Sequence, residues 1–515
     1  MHNLRTLHRA ILGLAVVASV SGQVSIWTAQ YDQGRTSANL SETILNTANV
    51  NSNQFGLLFS RAVDDYLYAQ PLYLPSITIG GGIHNVVYVA TINNTVYAFD
   101  ADNAALGTAL WQVNLGPAAT LVTHNALPRC GVLSTPVIDQ TSGTMYVVAM
   151  TQQNGKMSHS LHALDITSGA EKFGGPVAIK ASVPGTGSGS SNGTITFNSS
   201  LELQRPGLLL LNGTVYMGFA RQKTESVYPF HGWQLGYSAT TLKRTYVLNT
   251  TPNGNEGGIW MSGRGPAADS KGFTFMTGNG DVGNSNVGES FVRIATNHAM
   301  QGLFTDPNWV NLNTNDFDLG SGGPLLIPGT NVLAGGGKAG LLYLLKINTA
   351  GALQMSQSIQ ATPGCPSSAD ASCAQLHHLA FWNRSGGALL YMWASNDALK
   401  AFSFNAGLLG TTPAFQNTTI TNLPNAAVLA VSANQGAAGS GILWAAMSTQ
   451  NAASAAVSGV LRAYDAANVA TELWNSSNNP ADQFGNLAKY VAPVVANGKV
   501  YVATFSNRLA VYGLK

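Results

Sequence analysis

Apolar residues in this chain alternate with polar or small ones in short runs, and the runs come in pairs. The clearest pair is Val86-Val-Tyr-Val-Ala-Thr91 followed by Asn93-Asn-Thr-Val-Tyr-Ala-Phe-Asp100, with Trp111 just beyond. It returns near the end of the chain as Gly498-Lys-Val-Tyr-Val-Ala-Thr504 and Asn507-Arg-Leu-Ala-Val-Tyr512. A period of two with β-branched and aromatic residues predicts strands, and the short polar break between the runs predicts a hairpin turn. Hairpins repeated at intervals of roughly fifty to seventy residues are the mark of a radial β-array.

A second signal counts the units. A proline opens an apolar run at Pro71, Pro136, Pro206, Pro266, Pro324 and Pro493. Proline suits the first residue of a strand, where its missing N–H does least harm. Two further units, near Leu379–Trp382 and Val428–Val431, lack the proline. The pattern predicts an all-β fold: an eight-bladed β-propeller of four-stranded antiparallel blades. Phe55–Ser60 is expected to supply the missing strand of the last blade, because a closed ring protects strand edges. Helix signals are weak. Residues 184–200, 279–288 and 362–374 read as surface loops.

Composition narrows the function classes. Of 515 residues, 45% are hydrophobic and only 9% charged, with a net charge of +2; a usual charged share is about 25%. No basic run or acidic tail points to nucleic acid or to a membrane surface. Residues 1–22 read as a signal peptide, with a basic start, an apolar run over Ala10–Val20 and small residues before Gln23. Residues 23–515 then form a single propeller domain, expected to be secreted (or periplasmic in a bacterium), with no membrane span and as a monomer. Sequons begin at Asn39, Asn93, Asn192, Asn198, Asn212, Asn249, Asn383, Asn417 and Asn475, so a glycoprotein is expected if the source has the pathway. Of the three cysteines, Cys365 and Cys373 are spaced for a loop disulfide, which leaves Cys130 over. No Cys-x-x-Cys-His is present, so no attached haem is expected.

The Val-Tyr-Val-Ala-Thr…Val-Tyr-Ala-Phe-Asp…Trp pattern resembles the repeat of the pyrroloquinoline-quinone (PQQ) enzymes, the quinoprotein alcohol dehydrogenases, over nearly the whole mature chain. It also resembles a secreted group of such propellers without a settled activity. The resemblance implies site residues. Gly257-Gly-Ile-Trp260 and Thr277-Gly-Asn279 match the family's stacking tryptophan and the calcium-binding asparagine that follows it. Asn315-Asp-Phe-Asp318 occupies the place of Asp-x-Trp-Asp, whose last aspartate is the family's catalytic base. Lys338-Ala-Gly-Leu-Leu-Tyr343 matches the basic residue that touches the quinone carbonyls. The resemblance therefore implies PQQ and calcium as cofactors, with Trp260 and Lys338 on PQQ, Asn279 and Asp318 on the metal, and Asp318 as the base. It departs from the family in three places. Glu225 is out of register with the family's calcium glutamate by about two positions, the adjacent cysteine pair is absent, and the early-blade arginine has no clear match.

The chemistry gives these residue types a reason to meet. A planar quinone needs an aromatic floor. Its carbonyl must be polarised, and a carboxylate must take the proton of an alcohol as hydride leaves the carbon. Each residue also has a plainer reading. Trp260 reads as a core tryptophan between blades, and Asn279 as a turn residue in Gly278-Asn-Gly-Asp281. Asp316 and Asp318 would share one strand face, or one of them would cap a turn. Arg205 and Arg264 read as channel-lining or as hydrogen-bonded to neighbouring blades, and His231 as a satisfied structural histidine. His377 and His378, adjacent on a strand, would point to opposite faces and could not easily share a metal.

Two functions follow. One is an oxidoreductase that oxidises an alcohol or sugar and passes electrons to an external acceptor. The other is a cofactor-free propeller that binds a protein or glycan, which a channel filled by Phe381, Trp382 or Trp393 would favour. A polysaccharide hydrolase or lyase would need paired carboxylates that the sequence does not locate.

Overall fold

The computed structural model describes residues 24–120, 127–221, 229–363, 375–421, 427–452 and 455–515. The expected signal peptide, Glu225 and the Cys365–Cys373 pair lie outside them. Eight small antiparallel sheets follow one another along the chain. Their first strands are Leu72–Ile79, Val137–Asp139, Leu209–Leu211, Ala267–Asp269, Leu325–Leu326, Leu379–Trp382, Val428–Ser432 and Val494–Ala496. Pro71, Pro136, Pro266, Pro324 and Pro493 each immediately precede one of these strands, while Pro206 stands a little further ahead of its own. The chain is an eight-bladed β-propeller. In the last blade Phe55–Ala62 pairs antiparallel with Arg508–Leu514, Phe55 opposite Leu514.

The core is a ring of layers between blades, and the repeated tyrosine explains much of it. Tyr88, Tyr146 and Tyr391, each in the second strand of its blade, send their hydroxyls to the carbonyls of Ile166, Ala239 and Ala466 in the next blade (3.1, 2.7 and 2.6 Å). Each ring buries apolar area, and each hydroxyl satisfies a main-chain group that the layer would otherwise strand. Phe381, Trp382 and Trp393 belong to these layers, not to the channel. Gly441 is glycine because the Trp382 ring lies 2.2 Å from where its Cβ would be.

Residues 26–39 thread the axis and bond to every blade. The Ile26 N–H donates to Tyr73 O in blade one, and Trp27 O accepts from Ile138 N–H in blade two. Gln33 Nε2 donates to Leu210 O in blade three. The carbonyls of Gln33, Gly34, Thr36 and Ser37 accept from Ala268, Leu326, Phe381 and Val431 in blades four to seven. In blade eight, Val495 N–H donates to the Tyr31 hydroxyl (2.8 Å). The innermost strand of a blade has one unpaired edge, and this segment supplies its missing partners. Nothing in the alternation predicts it, because Gln30, Tyr31, Arg35 and Ser37 have positive φ and break any period.

Three further expectations are revised. Residues 184–200 are not plain loop: Ser182–Pro184 pairs with Thr194–Thr196. Residues 279–288 hold a small hairpin of Val282–Gly283 and Asn286–Val287. Sequon residues Asn39, Asn249, Asn417 and Asn475 are buried, whereas Asn192, Asn198, Asn212 and Asn383 are exposed. Among the described residues no helix is long and apolar enough to cross a membrane.

Candidate functional site

The matched residues meet where blades four and five approach the channel mouth. Thr277-Gly-Asn279 follows the second strand of blade four, Gly272–Met276, and Lys338 follows that of blade five, Val332–Gly336. Between them the chain makes a short α-helix, Trp309–Asn315, and a 3₁₀ turn, Leu319–Ser321. Asp316 caps the helix in a left-handed conformation (φ 54°), and Asp318 begins the turn. The two aspartates therefore do not alternate along a strand as expected. They converge because the helix is pinned: Asn313 exchanges two 3.0 Å hydrogen bonds with the main chain of Gly280.

Lys338 Nζ lies 2.6 Å from Asp318 Oδ2 and 2.9 Å from Asp316 Oδ1. The Asn279 N–H donates to Asp318 Oδ1 (2.8 Å), and Asn279 Nδ2 donates to Asp316 Oδ1 (2.9 Å). Two glycines make this packing possible. A Cβ on Gly278 would fall 2.2 Å from Asp318 Oδ1, and one on Gly337 2.1 Å from Asp318 O. The surroundings differ for the two acids. The Asp318 side chain is 4% exposed and that of Asp316 47%. Burial and the Asp318 charge push the Asp316 carboxyl above its usual range, against the pull of Lys338. Behind them Glu289 accepts from the Leu319 N–H (2.6 Å), and burial together with the Asp318 charge raises its carboxyl well above the usual range.

Trp260 is tied to the same patch. Gly278 N–H donates to Gly258 O, and Gly257 N–H donates to Asn279 O (2.9 and 2.6 Å). The Ser262 hydroxyl donates to Ser321 O (2.5 Å). Trp260 is half-buried and packs against a cluster that includes Tyr68, with Tyr490 packed on the same cluster. Arg205, across the mouth, stacks over Tyr490 (4.3 Å) and donates to the Tyr68 hydroxyl (2.8 Å). Lys489 stands near, its ammonium lowered to about 8 by burial and by Arg205. Tyr68 and Tyr490 were not singled out in the sequence, since tyrosine is common throughout the repeats.

Other polar residues prove structural. Arg264 donates to Leu379 O and Arg35 O (2.9 and 2.6 Å). His231 is satisfied at both nitrogens, by Thr251 and Ser188. His377 and His378 both bond Ser262, one to its hydroxyl and one to its carbonyl, so they form no metal pair. Burial, with the Arg205 charge, lowers His377 to about 3, so it is neutral. Cys130 is buried and free, its thiol raised to about 12 by burial.

The two cofactors fit unequally. A planar polycarboxylate suits a mouth with aromatic faces and the cations Arg205 and Lys338, and Arg205 Nε is buried without a partner. Calcium wants six to eight oxygens. Asn279 Oδ1 is buried and unpartnered, but both Asp318 oxygens already accept hydrogen bonds. Among the described residues no three His, Cys, Asp or Glu side chains gather as a metal site. The oxygens of the described residues by themselves are fewer than a full calcium shell takes.

No protein family matches the sequence, and no curated protein does. Solved structures do match. The quinohemoprotein alcohol dehydrogenase from Comamonas testosteroni aligns over 95% of this chain and 80% of its own, with 14% identity and a TM-score of 0.57. The quinohemoprotein alcohol dehydrogenase ADHIIG from Pseudomonas putida HK5 aligns over 98% and 82%, with 13% identity and a TM-score of 0.60. A europium-containing methanol dehydrogenase aligns over 96% and 99%, with 13% identity and a TM-score of 0.62. Eight blades, their order and these alignments establish that the chain has the propeller fold of the quinoprotein alcohol dehydrogenases.

Proposed function

We propose that the channel mouth binds PQQ and that the protein is a secreted oxidoreductase, oxidising an alcohol or sugar and passing electrons to an external acceptor. The observation that carries this reading is the convergence of Lys338, Asp316, Asp318 and Asn279. When bound, PQQ supplies an electrophilic quinone carbonyl that accepts hydride. Trp260 gives its ring a floor. Lys338, fixed by two carboxylates, holds positive charge where a carbonyl oxygen gains electron density. A carboxylate of the pair takes the hydroxyl proton of the substrate. Residues 26–39 fill the axis, so ligands enter and leave by the mouth. The basic and apolar start of the sequence supports export, and exposed Asn192, Asn198, Asn212 and Asn383 are the acceptors for any glycans.

The cofactor-free alternative named Phe381, Trp382 and Trp393 as channel fillers, and these lie between blades instead. Calorimetric titration with PQQ, with and without calcium chloride, tests the reading. Binding at micromolar affinity or better, lost in Lys338→Ala, supports it. Absence of binding under both conditions overturns it and turns the search to a protein or glycan partner.

A further inference from the structure

We infer that Asp316, and not Asp318, is the carboxylate that accepts the substrate proton, and that Asp318 is a positioning residue for Lys338. The inference rests on the oxidoreductase reading and assigns roles within the same site.

Access separates the two acids. Asp318 is 4% exposed, and its two oxygens each accept a hydrogen bond, one from the Asn279 N–H and one from Lys338. Its Oδ1 lies against Gly278, where even one added carbon would fall within 2.2 Å. Its own carbonyl accepts from the main chain of Lys338 (3.1 Å). A carboxylate held this way fixes its neighbours and has no open approach for a substrate hydroxyl. Asp316 is 47% exposed, and both of its donors, Lys338 and Asn279 Nδ2, use Oδ1. Asp316 closes the helix with a left-handed backbone, φ 54°.

The substrate O–H bond breaks and its proton passes to Asp316. The carbinol C–H bond breaks and its hydrogen leaves as hydride, so the alcohol becomes a carbonyl and loses two electrons; PQQ, when bound, would supply the two-electron acceptor.

Two measurements test the inference. The first needs no cofactor: native protein is treated with a water-soluble carbodiimide and a small amine, and the labelled carboxyls are mapped by mass spectrometry. Asp316 is expected to take the label in the native protein, and Asp318 only after unfolding. Label on native Asp318 overturns the access argument. The second compares variants loaded with PQQ. Asp316→Asn should lower kcat by about a thousandfold, with PQQ affinity and KM nearly unchanged, and Asp316→Glu should restore part of the loss. Asp318→Asn should weaken PQQ binding and lower Tm, while keeping more kcat at saturating PQQ than Asp316→Asn does. The reverse order, with Asp316→Asn active and Asp318→Asn dead, overturns the inference. If wild-type protein binds no PQQ, the oxidoreductase reading itself falls and takes this role with it, a failure seen in the titration rather than in the variants.

Discussion

Two kinds of buried cation lie near the axis of this propeller, and they are satisfied in opposite ways. In the threading segment Arg35 donates to the carbonyls of Ala29, Pro266 and Leu208 and to the Thr28 hydroxyl. Arg264 reaches Leu379 O and Arg35 O. Neither has a carboxylate within ion-pair distance among the described residues, and burial lowers them to about 10 and about 9. At the mouth Lys338 is held by two carboxylates, one of them half in water. A planar guanidinium with a fork of donors can tie several strands together through their main-chain oxygens. A compact ammonium between two acids makes a local charge arrangement that a ligand can alter. The first cation closes the fold, and the second is available to chemistry.

Breaking the first kind should cost most. Arg35→Ala strands the carbonyls of blades three and four together with Ala29 O, so unfolding free energy should fall by about 3–5 kcal/mol. Chemical denaturation measures it; a loss under 1 kcal/mol would mean that water replaces the guanidinium and that the segment is not a tie. Gly278→Ala probes the second kind by pushing a carbon into Asp318. It should destabilise by about 2–3 kcal/mol and weaken PQQ binding as Lys338 loses its anchor. A variant with unchanged calorimetry would show that the ion pair tolerates a shift.

Lys489 sharpens the comparison through pH. Its folded value, about 8, lies below the ordinary 10.5, chiefly through burial and then through Arg205. A depressed value means that the folded state resists the proton, so stability from this group is present above about pH 10.5 and is lost as pH falls through about 8. Lys489→Met should therefore be more stable than wild type at pH 7, by about 1–2 kcal/mol, with the gap closing towards pH 10.5. A gap independent of pH would point to packing instead. The smallest effect concerns Cys130, beside Arg205. With its thiol near 12, it should resist alkylation at pH 8 in the native protein and react on unfolding. Native labelling at Cys130 would show that the mouth opens.

The blades were legible in the sequence for physical reasons. Alternation in Val86–Ala90 and Thr95–Asp100 reports a strand with two distinct faces, and proline before a first strand reports an edge without a donor. The site was legible in part. Asn279 and Lys338 stand at strand ends, where the period stops and glycines begin, and the resemblance marked them. The relation of Asp316 to Asp318 was not legible, because a helix cap and a 3₁₀ turn replaced the expected alternation. Nor were Tyr68 and Tyr490 distinguishable from the tyrosines that rivet blade to blade.

The sequence by itself determined the repeating hairpin, the count of eight units and the residue types at the mouth, because each depends on local periodicity or on a few adjacent residues. Tertiary structure alone decided which acid faces solvent, which arginine ties the blades, and that residues 26–39 fill the axis. Those outcomes depend on contacts between distant parts of the chain. Arg35 meets Pro266 across 231 residues and Tyr31 meets Val495 across 464, and no local pattern encodes a partner so remote.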